Sequence, residues 1–265
     1  PKKLAFALNA VGSADAVKPV LALIEGGTVP AANRYGLWLL LARVGGPDEL
    51  VKVLDFADKV DNVTPAQRVE LVAAVEESIR TRRVPKPRNE VNLFHLIDEI
   101  SNGTNPESRG AARAACRILA LWKEENTRPG IESIARRDKD VPSADRAAAM
   151  EAIAIYGDAK AKALLADIAD KGKADARRLA VISLASLDVP AAAGKAAAFL
   201  PTAEAKDDLL ELYGAFLSRK GGAPVLAKAL ATAKLPPDVA KLGLRAVRSA
   251  VGTDGAALAD ALTKA

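Results

Sequence analysis

One cysteine and one histidine are all that 265 residues offer for soft-metal or nucleophilic chemistry. A single Cys116 excludes an internal disulfide framework and a Cys-rich metal site. In "AARAACRILALW" it falls on the apolar face of a predicted helix, where a buried, inert thiol is the ordinary reading. Aromatic residues make up only 4% of the chain, so no core of large rings is expected and few rings remain to hold an extruded base. No apolar run approaches the roughly 20 residues of a membrane span, and "YGLWLLLARVGG" falls well short of it. An excess of one charge is missing too, since 38 basic residues face 33 acidic ones for a net charge of +5. The pI near 9.3 suits an acidic partner, but the near balance fits an evenly charged helical surface better. Strand signals are sparse: runs such as "VPKPRNEVN" are short and broken by proline. No signal-peptide pattern is present, and a chain that opens with Pro1 reads as a piece excised from a longer protein.

What the chain does have is alanine and a repeat. Half of the residues are hydrophobic and many of these are alanine, the best helix former and a poor source of buried area. Nearly all helix, held by many thin contacts, is the expected outcome. The segment "NRYGLWLLLARVGGPDELVKVLDFADK" from Asn33 aligns with "DRAAAMEAIAIYGDAKAKALLADIADK" from Asp145. In each, a polar residue and an arginine open a helix, a glycine corner (Gly45, Gly157) follows twelve residues after the polar one, and a second amphipathic helix ends in Asp-Lys. The corner recurs at Gly12, Gly221 and Gly252, and Asp188-Val189-Pro190 takes its place once. Glycine in the left-handed conformation stops one helix, and a nearby Asp or Pro starts the next. Apolar residues at helical spacing mark the second helices, as in Val20, Leu21, Leu23 and Ile24 or Val53, Leu54 and Phe56. Units start near Pro1, Ala31, Thr64, Asn105, Ser143, Ala174, Ala203 and Pro236. Irregular units fall around 64–104 and 105–142, where "TRRVPKPRN" and "KEENTRPG" replace tight corners. The expected fold is all-α, a right-handed α-solenoid of about eight helical hairpins running as one domain over 1–265. Alanine at the helix interfaces would let axes approach toward the short end of the usual ~8–10 Å.

A unit of "D/N-R-x-x-A-x-x-x-L/I-x-x-x-G-D/P" followed by an apolar helix resembles the HEAT repeat, in particular the short, alanine-rich bacterial type of the phycobilisome-lyase kind. "ADRAAAMEAIAIYGDAKAKALLADIAD" carries the clearest match. The resemblance implies that Asp145, Arg146, Asp175 and Arg177 link successive units, a structural role. The C-terminal "KLGLRAVRSAVGTDGAALADALTKA" is similar to the repeat region of planctomycete-type multidomain haem-binding cytochrome c proteins. That likeness implies an exported bacterial protein. Their Cys-x-x-Cys-His haem site has no counterpart here, so the resemblance covers a scaffold and implies no cofactor. Nor does a shared repeat carry lyase chemistry with it.

Candidate chemistry is thin. His95 in "EVNLFHLIDEI" has Asp98 three residues on, a spacing that could share a proton or metal. With no second ligand in reach a structural histidine is favoured, and burial of its ring in the apolar seam would end a catalytic reading. The pairs Glu76-Glu77, Asp98-Glu99, Glu124-Glu125 and Asp207-Asp208 are sequence neighbours, whereas acid–base catalysis needs carboxylates in different environments across a cleft. No nucleophile elbow and no phosphate-cradling Gly-rich loop occurs. The stretch "RTRRVPKPRNE" gathers Arg80, Arg82, Arg83, Lys86 and Arg88. Pro85 and Pro87 are expected to keep it extended and out of helix, as a protruding cationic loop able to grip phosphates or an acidic protein segment. Arg109, Arg113 and Arg117 recur every fourth residue as a cationic stripe, with Arg136-Arg137 a second basic pair. That stripe also opens an alternative, a basic solenoid that binds nucleic acid as HEAT-like DNA glycosylases do. Trp38 and Trp122 sit in apolar runs that read as packing, which counts against it. The favoured expectation is a monomeric, non-catalytic scaffold that binds a protein partner, with the 80–90 loop and the arginine stripe as contacts.

Overall fold

The computed structural model describes residues 14–27, 29–59, 61, 63–88, 91, 93–102, 106–137, 140–250 and 255–265. The expected corners at Gly12 and Gly252 and the unit starts at Pro1 and Asn105 lie outside these residues. Fifteen α-helices and no strand occur among the described residues. In chain order they are α1 Val17–Glu25, α2 Ala31–Val44, α3 Pro47–Asp58, α4 Pro65–Arg82, α5 Phe94–Asn102, α6 Arg109–Leu121, α7 Arg128–Arg136 and α8 Ser143–Tyr156. They continue as α9 Ala159–Lys171, α10 Ala174–Ala185, α11 Val189–Phe199, α12 Leu209–Leu217, α13 Gly222–Leu230, α14 Pro237–Ser249 and α15 Ala256–Lys264. The expected starts at Ala31, Thr64, Ser143, Ala174 and Pro236 fall within one residue of α2, α4, α8, α10 and α14. Only the start near Ala203 is displaced. Two 3₁₀ turns, Leu200–Thr202 and Ala205–Asp207, precede α12, and Asp208 sits in left-handed backbone just before it.

The helices gather into two compact units, residues 1–131 and 132–265. In the first, α2, α4 and α6 lie side by side, α3 packs on both α2 and α4, and α5 packs on α6. In the second, α8, α10, α12 and α14 form one layer and α9, α11, α13 and α15 the other. Each helix there meets the next of its own layer and its hairpin partner, which is solenoid packing. On α6, Ala111, Ala112, Ala114 and Ala115 are all buried. A Cβ built at Gly110 would lie only 3.0 Å from Val69 of α4, so small residues let these two helices close up.

The corners divide into two kinds. Gly157 and Gly221 adopt the left-handed conformation expected after a helix (φ 70° and 74°). Gly45 does not: its φ is −64° with extended ψ. Glycine is required there for room, since a Cβ would meet the Leu41 carbonyl oxygen at 2.6 Å. The restart uses caps of the expected types. Asp158 accepts the Ala161 N–H at 2.7 Å and Asp188 the Ala191 N–H at 2.8 Å, while Thr64 and Gln67 form a reciprocal capping box at α4.

Candidate partner-binding site

Each arginine at the start of a first helix has two directions in which to bond: back to the carbonyls of the preceding helix end, and onward to a carboxylate of the next hairpin. Arg146 does both. Its Nε donates to the Arg137 carbonyl at 2.9 Å and its guanidinium pairs with Asp175 of α10 at 2.6 Å. In the next hairpin the two tasks are divided. Arg177 donates back to the Ala169 carbonyl at 3.0 Å and lies over the Phe199 ring at 5.2 Å, and Arg178 reaches onward to Glu211 of α12 at 2.9 Å. Arg178 also pairs with Asp175 at 3.1 Å. The expected structural link therefore runs through Arg146 and Asp175, but Arg178 rather than Arg177 carries the forward bond. Arg178 stands 32 positions after Arg146, one repeat on, and that interval marked it in the sequence.

The basic stretch after α4 is organised differently from the expected protruding loop. Helix α4 continues through Arg82, so Arg80 and Arg82 are helical. A proline restricts only the residue before it and the turn it would join, and Pro85 leaves Arg80 to Arg82 untouched. Arg80 turns back to Glu76 at 2.7 Å. Arg82 donates to the Val44 carbonyl at 2.9 Å and to that of Gly45, placing a cation on the carbonyl end of α2, where the helix dipole favours it. Beyond the helix the chain runs against the turn that follows α6. Val84 and Pro87 are buried, the Val84 carbonyl accepts from Trp122 Nε1 at 3.3 Å, and Lys86 pairs at 2.6 Å with the buried Glu124. Arg83 and Arg88 remain exposed.

The α6 stripe is likewise drawn into the fold. Arg109, Arg113 and Arg117 are half-buried. Arg117 grips Glu76 of α4 with Nε at 2.9 Å and a terminal nitrogen at 3.0 Å, a two-pronged pair. Glu76, one of the neighbouring carboxylate pairs of the sequence, is 6% exposed and holds both Arg80 and Arg117. Arg136 pairs with Asp167 at 2.7 Å. The tryptophans pack, as expected. Trp38 stacks on Phe56 with ring centroids 4.7 Å apart, and Trp122 is buried.

His95 is exposed in the first turn of α5, not sunk in the apolar seam, and Asp58 of α3 lies within its electrostatic reach. Burial raises the Asp58 carboxyl above its ordinary value. Among the described residues no group of three or more His, Cys, Asp or Glu side chains is placed to hold a metal ion, and no helix is long and apolar enough to cross a membrane.

One concavity adjoins the basic stretch. A groove of about 440 Å³ opens between α1, the α2–α3 corner and the segment after α4. Sequence reading missed it because its walls come from three hairpins.

No curated protein and no solved structure matches the chain. Residues 95–185, from α5 to the end of α10, match the family model described as HEAT repeats, and this stretch is similar to that family in sequence as it is in its helical hairpins.

Proposed function

We propose that the chain is a non-catalytic scaffold of HEAT-like hairpins that binds a protein partner, one module of a larger bacterial protein. The carrying observation is where the cations go. Arg68, Arg82, Arg117, Arg146 and Arg178 are bonded to carboxylates or carbonyls inside the chain. A polyanion-binding face needs its arginines free to meet phosphates. What is left on the surface is a mixture of charges spread over repeated helices, the kind of extended face that repeat proteins offer to other proteins. Within the basic stretch, Arg83 and Arg88 are the contact residues, while Arg82 and Lys86 bond to neighbouring hairpins. The repeat is read as the short, alanine-rich phycobilisome-lyase kind, taken as architecture without its chemistry.

The test is affinity capture from a lysate of the organism of origin, with and without nuclease, using the wild-type chain and an Arg83→Ser/Arg88→Ser variant. A defined protein retained equally after nuclease, and at least fivefold reduced by the variant, is the expected result. Retention that disappears with nuclease treatment would replace this reading with nucleic-acid binding.

A further inference from the structure

From the groove beside α4 we infer a docking site for a short acidic segment of a partner protein, one in which an apolar side chain is flanked by carboxylates. The inference rests on the scaffold reading and names the partner chemistry of one site on it. The floor is apolar: Val17 of α1, Val44 at the end of α2 and Val84 after α4 are at most 9% exposed, and Pro85 borders them. At about 440 Å³ the space lies within the roughly 300–1,000 Å³ of pockets that bind compact ligands.

The rim is cationic. Lys18, Arg82 and Arg83 line it with a single carboxylate, Glu49. Two of these four charges are already engaged. Glu49 accepts the Gly46 N–H at 2.9 Å, and Arg82 is bonded to the Val44 and Gly45 carbonyls. Lys18 and Arg83 are both exposed and make no ion pair among the described residues. With Arg82 they outnumber Glu49 by three charges to one, so the rim is net positive. An incoming carboxylate next to an apolar side chain would meet a cation at the rim and a dry floor beneath it. A basic segment would meet like charge.

Arg83 is also the C-cap of α4. Its backbone is left-handed (φ 55°), a conformation that costs an ordinary L-residue free energy and that glycine takes without strain. This also supplies a clean variant. Arg83→Gly removes the cation and relieves the backbone together.

The test is selection of a phage-displayed random dodecapeptide library on the immobilised chain, followed by fluorescence titration of the enriched peptides. Enrichment of sequences with an apolar residue between Asp or Glu is expected. Their affinity should fall at least tenfold in Lys18→Glu/Arg83→Glu and at least threefold in Arg83→Gly, whose thermal midpoint stays level or rises. Enriched peptides that bind the charge-reversed variant as tightly as wild type would overturn the groove and leave the scaffold reading standing. No enrichment, or enrichment of basic peptides, would also overturn it. Nuclease-sensitive capture in the lysate experiment would remove the scaffold reading itself.

Discussion

Replacing Tyr213 with alanine is expected to cost the chain about 3–5 kcal/mol of unfolding free energy, the usual range for removing a fully buried ring. Tyr213 of α12 is completely inaccessible and among the largest fully buried side chains. In a chain whose core is mostly alanine and leucine, few other rings share its load. Its hydroxyl donates to the Val239 carbonyl of α14 at a long 3.3 Å, so Tyr213→Phe should lose only about 1 kcal/mol. The ring also shapes its neighbour. A Cβ at Gly243 of α14 would come within 2.8 Å of Tyr213 Cζ and 2.7 Å of Leu262 Cδ1. Gly243→Ala is therefore expected to destabilise by about 1–3 kcal/mol through overpacking. Because both changes act on one small space, their combined cost should fall short of the sum. Urea unfolding followed by far-UV circular dichroism measures all four variants. Additive costs would show that α12 and α14 do not meet through this ring.

Glu76→Ala is the second large effect, at about 2–3 kcal/mol. Removing one partner of a buried ion pair leaves the other desolvated, at a cost of about 3–5 kcal/mol when both are fully buried. Glu76 is 6% exposed but Arg117 keeps 24% of its side chain accessible, so the lower figure applies. Arg80→Ala should cost less than about 1 kcal/mol, since its exposed guanidinium is already solvated. The pair is expected to be replaceable. Glu76→Leu with Arg117→Met fills the same space without charge and should recover most of the loss. Trp38 and Trp122 both lie in residues 1–131 with this pair, so tryptophan fluorescence in urea follows the relevant unit. A single Glu76→Ala variant as stable as wild type would mean that the α4–α6 interface is held by alanine packing alone.

These residues also show how far the sequence could be read. Hairpin starts were legible because caps, prolines and glycines act locally: Thr64, Pro142 and Pro236 stand at helix starts whatever packs around them. The role of glycine at the corners was legible at Gly157 and misread at Gly45, where close approach rather than backbone angle demands it. The charges were read least well. Periodicity tells which face a residue lies on, but a long side chain chooses its partner from the neighbouring helix. Arg82 reaches carbonyls 37 and 38 positions away, and Arg117 a carboxylate 41 positions away. In the run of cations after α4, Arg82 and Lys86 bond to neighbouring hairpins, while Arg83 joins Lys18 at a groove that no linear motif marks.

The internal use of arginine is the centre of this account, and one titration tests it directly. A fluorescein-labelled 20-base-pair duplex of random sequence would be titrated with the intact chain and followed by anisotropy at 50 and 150 mM salt. With most arginines committed to carboxylates and carbonyls, no saturable binding is expected below about 10 µM at the higher salt, within the range of non-specific contact. A dissociation constant under about 1 µM, weakening steeply between the two salts, would contradict it. That result would mean that the cations leave their internal partners for phosphate, and that the helical array is a nucleic-acid cradle.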